Sequence, residues 1–236
     1  MRVSIMQPAY LPWLGYFERI AMSDLHIVLD HVQIDRNSKT KFANRNKVRV
    51  GKSWIWLTVP LKTKGKGNDL PIDELEIDNE SRWAAKHWKT LELEYKKAPF
   101  FPAHSAFFER AYGRVWSHLA ELNRETTEYL MRQCLHISTP VVFSAKMQVP
   151  GAKDELILNL CKSVQATEYI SGPFGREYLN SAAFEQAGIK LVFHDYAHPV
   201  YPQIQGGFEP YMSALDLVFN CGEQAQSILR TNPGLL

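Results

Sequence analysis

The sequence predicts an α/β protein, a three-layer, mostly parallel (Rossmann-like) sheet with an inserted helical hairpin. Three observations predict it. Short apolar runs of strand length recur at 3–6, 25–29, 140–144 and 189–193, with a further one ending in Tyr169-Ile170. Segments of helical length separate most of them, and strands joined through helices run parallel. The stretch from 79 to 137 carries two long helical patterns with a short link, which reads as an insertion. With 236 residues the chain is long enough for one such domain over 1–236 with the insertion inside it.

The first element is the run Val3-Ser4-Ile5-Met6, which breaks at Gln7-Pro8-Ala9-Tyr10-Leu11-Pro12-Trp13-Leu14-Gly15-Tyr16. A helix is expected from Phe17 to Met22, then a second strand from Leu25 to Leu29 ending in Asp30. In parallel sheets the loop beyond the first strand's carboxyl end is the usual ligand site. Pro8 and Pro12 fix φ in that loop, and Gly15 lets a ligand approach the backbone at the helix start. The bland account is a turn shaped by prolines, with Tyr10, Trp13 and Tyr16 as core aromatics.

Ser53 to Pro60 is rich in aromatic and β-branched residues and reads as a strand. Lys64-Gly65-Lys66-Gly67-Asn68 is a polar loop able to close over a ligand or to act as surface slack. Ser81 to Lys97 reads as an amphipathic helix, with Trp83, His87, Leu91 and Tyr95 at i+4 spacing. Pro99-Phe100-Phe101-Pro102 stops it, and a second long helix is expected from Ala103 to His136, with a break near Gly113. His87, His104 and His118 read as packed or surface histidines, with no obvious acid partner at helical spacing. The α/β pattern then resumes: a strand at Pro140–Ser144, a helix at Lys153–Gln165, the strand ending at Ile170, a helix at Arg176–Ala187, and the strand Ile189–Phe193.

Composition narrows the function classes. Hydrophobic residues make up 45% and charged residues 22%, ordinary for a soluble enzyme, and a net charge of +2 excludes a generally nucleic-acid-like surface. No apolar run reaches the roughly 20 residues a bilayer span needs. Met1-Arg2 leads straight into the first strand, so no signal peptide is expected. Cys134, Cys161 and Cys221 give neither a disulfide framework nor a zinc pattern, and a cytoplasmic location is expected. Charge is uneven: Arg36 to Lys66 holds ten basic residues and no acid, whereas 69–80 holds six acids. Either these segments fold against one another, or the basic one holds a polyanion such as a nucleoside diphosphate or an RNA backbone. Asn44-Arg45-Asn46 supplies amide donors and acceptors around a guanidinium, which suits a sugar or nucleotide.

Two later loops carry chemistry. Ser171-Gly172-Pro173-Phe174-Gly175, between a strand and a helix, is a natural anion cradle, and Arg176 could add a bidentate phosphate contact. It should lie at the same sheet edge as the first loop and share its pocket. Asp195 to Gln203 follows a strand, and His198 between rigid neighbours is the candidate general acid or base; the alternative is a histidine packing a proline-fixed turn. No Gly-x-Ser-x-Gly, reactive-cysteine or metal-binding pattern appears.

These residues also carry a resemblance. Gln7-Pro-x-Tyr10-x-Pro12-x-x-Gly15-Tyr16-Phe17, Asp30-x-Val32-Gln33, Asn44-Arg45-Asn46, Trp56-Leu57-Thr58-Val59-Pro60, Ser171-Gly172-Pro173-x-Gly175, His198-Pro199-Val200-Tyr201-Pro202-Gln203 and Phe219-Asn220-Cys221-Gly222 resemble the WbqC-like family. The resemblance implies bacterial surface-polysaccharide (O-antigen) synthesis. The opening unit is also similar to that of nucleotidylyltransferases and pantothenate-synthetase-like enzymes. Trp13-Leu14-Gly15-Tyr16 stands where they carry His-x-Gly-His, so both phosphate-stabilising histidines are missing. The expected function is group transfer, acyl or aminoacyl, to a nucleotide-linked amino sugar. His198 would move the proton and Asp30 would orient a hydroxyl or the base. Gln7, Tyr10, Gly15, Tyr16, Gln33, Asn44, Arg45, Asn46, Ser171, Gly172, Gly175, Arg176, Tyr201 and Gln203 would bind substrate, with no metal site. One alternative is an activating enzyme that uses ATP with magnesium. Another is a non-catalytic protein that binds RNA or a polysaccharide precursor through 36–66.

Overall fold

The computed structural model describes residues 1–34, 42–62 and 70–230. The glycine loop at 64–68 and the cations Arg36, Lys39 and Lys41 lie outside the described residues. The chain opens with β1 (Arg2–Met6), α1 (Leu14–Ala21) and β2 (Leu25–Val28), then forms a hairpin of β3 (Arg45–Val50) and β4 (Ser53–Thr58). Three helices follow, α2 (Trp83–Tyr95), α3 (Phe101–Gly113) and α4 (Leu119–Tyr129), the last running into a π-turn at Leu130–Cys134. Next come β5 (Val141–Phe143), α5 (Lys153–Ser163), β6 (Glu168–Ser171), α6 (Gly175–Tyr178), α7 (Ser181–Gln186) and β7 (Lys190–Phe193). Helices α8 (Ala214–Cys221) and α9 (Ala225–Arg230) close the described chain.

Five strands form one parallel sheet in the order β5-β2-β1-β6-β7, so the α/β architecture expected from the sequence is what forms. The hairpin β3-β4 is a separate antiparallel pair. Alternation along the strands divides the core between two faces. Val3, Ile5 and Ile27 pack on one face with Leu156, Leu160 and Phe184 of α5 and α7. Leu14, Phe17 and Ile20 of α1 lie on the other with α2, α3, α4 and α8. Among the described residues no helix is long and apolar enough to cross a membrane.

Several boundaries differ from the sequence expectation. Helix α1 starts at Leu14 rather than Phe17, so Gly15 and Tyr16 are helical. The single helix expected over 176–187 is two short ones, because the Asn180 side chain accepts from the Ala183 amide (3.2 Å) and starts α7 afresh. The second long helix starts at Phe101 rather than Ala103 and, as the sequence reading expected, breaks at Gly113. There Trp116 turns back, its indole N–H donating to the Ala111 carbonyl at 2.7 Å. Strand β3 has no counterpart in the sequence reading. The charges in Arg45-Asn46-Lys47-Val48-Arg49-Val50 mask its period of two, although Val48 is fully buried.

Strand order matters for the site. From β1 the chain moves through β2 toward β5, then returns to the other side of β1 with β6 and β7. The β1/β6 boundary is therefore the switch point, where loops leave the sheet in opposite directions and a crevice opens at the carboxyl edge.

Candidate functional site

A cavity of about 670 Å³ lies at that switch point, a size typical of small-molecule sites. Gln7 to Ala9, Trp13 and Tyr16 line it from the first loop and α1, and Ser171 to Gly175 line it from the loop after β6. The two loops thus share one cavity. Aromatic rings form much of its wall, including Trp13, Tyr169, Phe174, Tyr196 and Tyr211. Among the described lining residues Arg19 is the one Lys, Arg, Asp or Glu side chain, with the Glu18 carboxylate behind His194.

The first loop is held from several sides. Leu11 adopts φ +44°, a left-handed conformation that costs a non-glycine residue about 1–3 kcal/mol. The buried Asn46 side chain offsets this by donating to the Leu11 carbonyl at 2.7 Å. The Pro12 carbonyl accepts from Ala214 N–H and the Tyr10 amide donates to the Phe42 carbonyl, both at 2.9 Å. Tyr10 points into the core, its hydroxyl bonded to His87 Nδ1 (2.9 Å) and to the Tyr112 hydroxyl (2.5 Å). A Cβ on Gly15 would lie 2.5 Å from the Trp13 ring, so this glycine serves close packing of the loop.

The polar floor comes from α1 and the end of β7. Glu18 and His194 are both buried, with Oε2 and Nε2 2.5 Å apart. His194 Nδ1 lies 3.5 Å from Arg19 Nε, a long contact. Arg19 Nε can only donate, which fixes Nδ1 as the unprotonated nitrogen and Nε2–H as the donor to Glu18. A carboxylate thus orients an imidazole whose Nδ1 lone pair meets only the long Arg19 Nε–H contact, and it becomes available as a general base when Arg19 turns to a bound anion. Burial lowers the Arg19 pKa, a cost that a bound anion would relieve. Its guanidinium lies against Gly172, where a Cβ would stand 2.9 Å from Nη2. A cation beside a glycine-rich turn after a strand suits phosphate or carboxylate.

Of the residues expected to bind substrate, Gln7, Tyr16, Ser171, Gly172 and Gly175 line this cavity. The others are placed elsewhere. His198 lies outside it. Its ring sits among Tyr196, Tyr201, Phe208 and Tyr211, its Nδ1 is 2.8 Å from the Pro199 carbonyl, and burial lowers its pKa. Asp30 is not its partner: Asp30 Oδ1 accepts from Ser144 Oγ (3.0 Å) and the Ala145 amide (2.9 Å) at the β2/β5 side of the sheet. Arg176 is exposed and turned to Asp195, with two hydrogen bonds of 2.8 and 2.6 Å. Gln203 is buried, accepting from Arg49 (2.7 Å) and donating to Asp216 (2.7 Å), and Tyr201 is buried nearby. Gln33 forms a backbone bridge with Pro71, and its carbonyl lies 3.5 Å from Gln7 Nε2. Asn44 donates to the Val59 carbonyl at 2.8 Å. In the basic segment, Arg45 lies over Trp56, Lys47 over Trp54, and Lys62 pairs with Glu76 at 3.1 Å.

Glu18, Arg19 and His194 were not among the sequence candidates. One signal was present: Glu18 stands four residues after Leu14, on a helix face that is otherwise apolar.

The profile of the WbqC-like protein family matches residues 7–228. A protein of Mycobacterium tuberculosis (strain ATCC 25618 / H37Rv), named as the uncharacterized protein Rv1507c, is 36% identical over 231 residues, 97% of each chain. No solved structure matches the chain.

Proposed function

The chain belongs to the WbqC-like protein family, and from that premise we propose that it is a cytoplasmic transferase of surface-polysaccharide synthesis. It moves an acyl or aminoacyl group onto a nucleotide-linked amino sugar. The observation that carries this reading is a single cation, Arg19, on the floor of an aromatic-walled cavity beside an imidazole oriented by a buried carboxylate. In this reading Arg19 and the Gly172 turn hold the diphosphate, and the rings stack on base and sugar. His194 Nδ1 takes the proton that the attacking amine loses as its nitrogen bonds to the carbonyl carbon of an acyl thioester. The C–S bond breaks, the thiolate leaves with its electron pair, and the imidazolium, stabilised by Glu18, returns the proton to that thiolate. The buried free thiols suit a reducing compartment.

The test is a thermal-shift screen of the purified protein against UDP, UDP-sugars and acyl-CoA. UDP and UDP-amino sugars should raise the midpoint by mass action, and Arg19→Met should remove the shift. If no nucleotide moves the midpoint of the wild-type protein, the reading is wrong.

A further inference from the structure

A second cavity, of about 380 Å³, lies beside the first at the carboxyl ends of β2 and β5, roofed by α4. Tyr16 and Pro8 line both, so the two chambers meet around one ring. Their linings differ in charge, the second carrying the acids Asp30, Asp73, Glu121 and Glu128 as well as Arg124, Arg132 and Lys146. Asp30 and Asp73 face the second cavity, and among the described residues neither carboxylate has an ion-pair partner. Asp73 Oδ1 is out of contact with water and has no hydrogen-bond partner. The two residues are adjoining, the Asp73 amide donating to the Asp30 carbonyl at 3.1 Å. Repulsion from Asp30 adds to burial in raising the Asp73 pKa. The cations at this cavity are otherwise engaged or at its surface: Arg124 lies over the Phe143 ring, Arg132 donates to the Ile137 carbonyl, and Lys146 is exposed.

An independent feature shows what else this chamber would hold. His26 is 1% exposed and lines the cavity. Its Nδ1 is held by Ser4 Oγ at 2.9 Å, while its Nε2 is buried with no partner. A buried ring nitrogen without a partner costs free energy whichever tautomer is present. A ligand hydroxyl, which both donates and accepts, satisfies it in either case.

We propose that this cavity is a subsite for a protonated amino sugar, its ammonium between Asp30 and Asp73 and a hydroxyl on His26 Nε2. The assignment rests on the proposed transferase function and adds a docking pose for the amino sugar in its ammonium form, next to the anion site and on the other side of Tyr16; transfer requires the amine to leave Asp30 and Asp73, lose a proton and reach His194. A cationic group is what two unpaired carboxylates select, and the hydroxyl contact favours an amino sugar over a simple amine.

The experiment is calorimetric titration with glucosamine and with glucose, on the wild-type protein and on Asp73→Asn and His26→Phe. Glucosamine should bind at least about tenfold tighter than glucose, as a charge-assisted contact would give. Asp73→Asn should remove that preference, and His26→Phe should weaken both sugars. Folding of each variant is checked by its cooperative unfolding transition. Equal binding of the two sugars, no glucosamine binding, or a preference that survives Asp73→Asn would overturn the assignment. So would heat from magnesium chloride where glucosamine gives none. A parallel UDP titration separates the two ideas: loss of UDP binding breaks the transferase reading, whereas loss of the glucosamine preference breaks only the subsite.

Discussion

The loop after β6 and the segment from His198 to Gln203 look alike as sequence. Each follows a strand, each has proline-fixed backbone, and each carries polar residues suited to a site. In the fold they part. Ser171, Gly172 and Gly175 line the cavity at the switch point. The later segment is an anchor, with Gln203 bridging Arg49 and Asp216, and Tyr95 donating to Asp216 at 2.8 Å. The difference is position rather than composition. Strand β6 neighbours β1 at the switch point, whereas residues 198–203 run on past the edge strand β7, where Tyr201 and Gln203 are buried and Gln203 bonds Asp216 of α8. The first loop shows the same division within itself, since Gln7 and Tyr16 line the cavity while Tyr10 is fixed in the core.

That contrast can be broken most forcefully at the anchor. Arg49→Met removes the buried cation that sits opposite Asp216 through Gln203 and should cost about 3–5 kcal/mol in urea unfolding. UDP affinity at temperatures where the variant is folded should not change. A loss of affinity without a loss of stability would move the anchor into the site.

Acid should act next, through two buried histidines, His26 of β2 and His87 of α2, the latter bonded to Tyr10 of the first loop. Burial lowers the pKa of His26 to about 3 and of His87 to about 4. Below the ordinary histidine value of about 6.5 the unfolded chain binds protons that the fold refuses, so stability falls as pH falls. Each group contributes a slope of about 1.4 kcal/mol per pH unit between that value and its folded pKa. Unfolding free energies measured between pH 7 and 5 should show it, and His87→Asn should remove one share.

Within the cavity, Arg19→Met should weaken UDP about 10- to 100-fold, the range for a charged hydrogen-bonding group. Gly172→Ala should weaken it by up to about tenfold, because the new methyl group pushes the Arg19 guanidinium aside while leaving a conformation alanine tolerates. Both are read by calorimetry. The smallest effect is expected at His198: replacement by Phe keeps an aromatic ring among aromatic neighbours, changes stability by about 1 kcal/mol or less, and leaves UDP binding as it is.

How much of this was legible in the sequence follows from the range of the interactions. Strand and helix runs depend on local periodicity, so the parallel sheet and the two glycine-bearing loops could be read directly. The helix break at Gly113 was visible, but the break at Asn180 was not, since a cap inside a helical pattern is a single short side chain. Glu18 and His194 are 176 positions apart. One reads as an ordinary helix charge and the other as the residue after a strand. Only the adjacency of β1, β6 and β7 makes them a pair. His198 attracted attention because proline neighbours fix its backbone, yet rigidity is required of a core anchor as much as of a catalytic loop.

The most direct test of the central claim, that the switch-point cavity with Arg19 on its floor is where substrate binds, is calorimetric titration of UDP into three proteins. Wild type and His198→Phe should bind with the same affinity, and Arg19→Met at least about tenfold more weakly. Undiminished binding by Arg19→Met, or its loss in His198→Phe, would contradict the account.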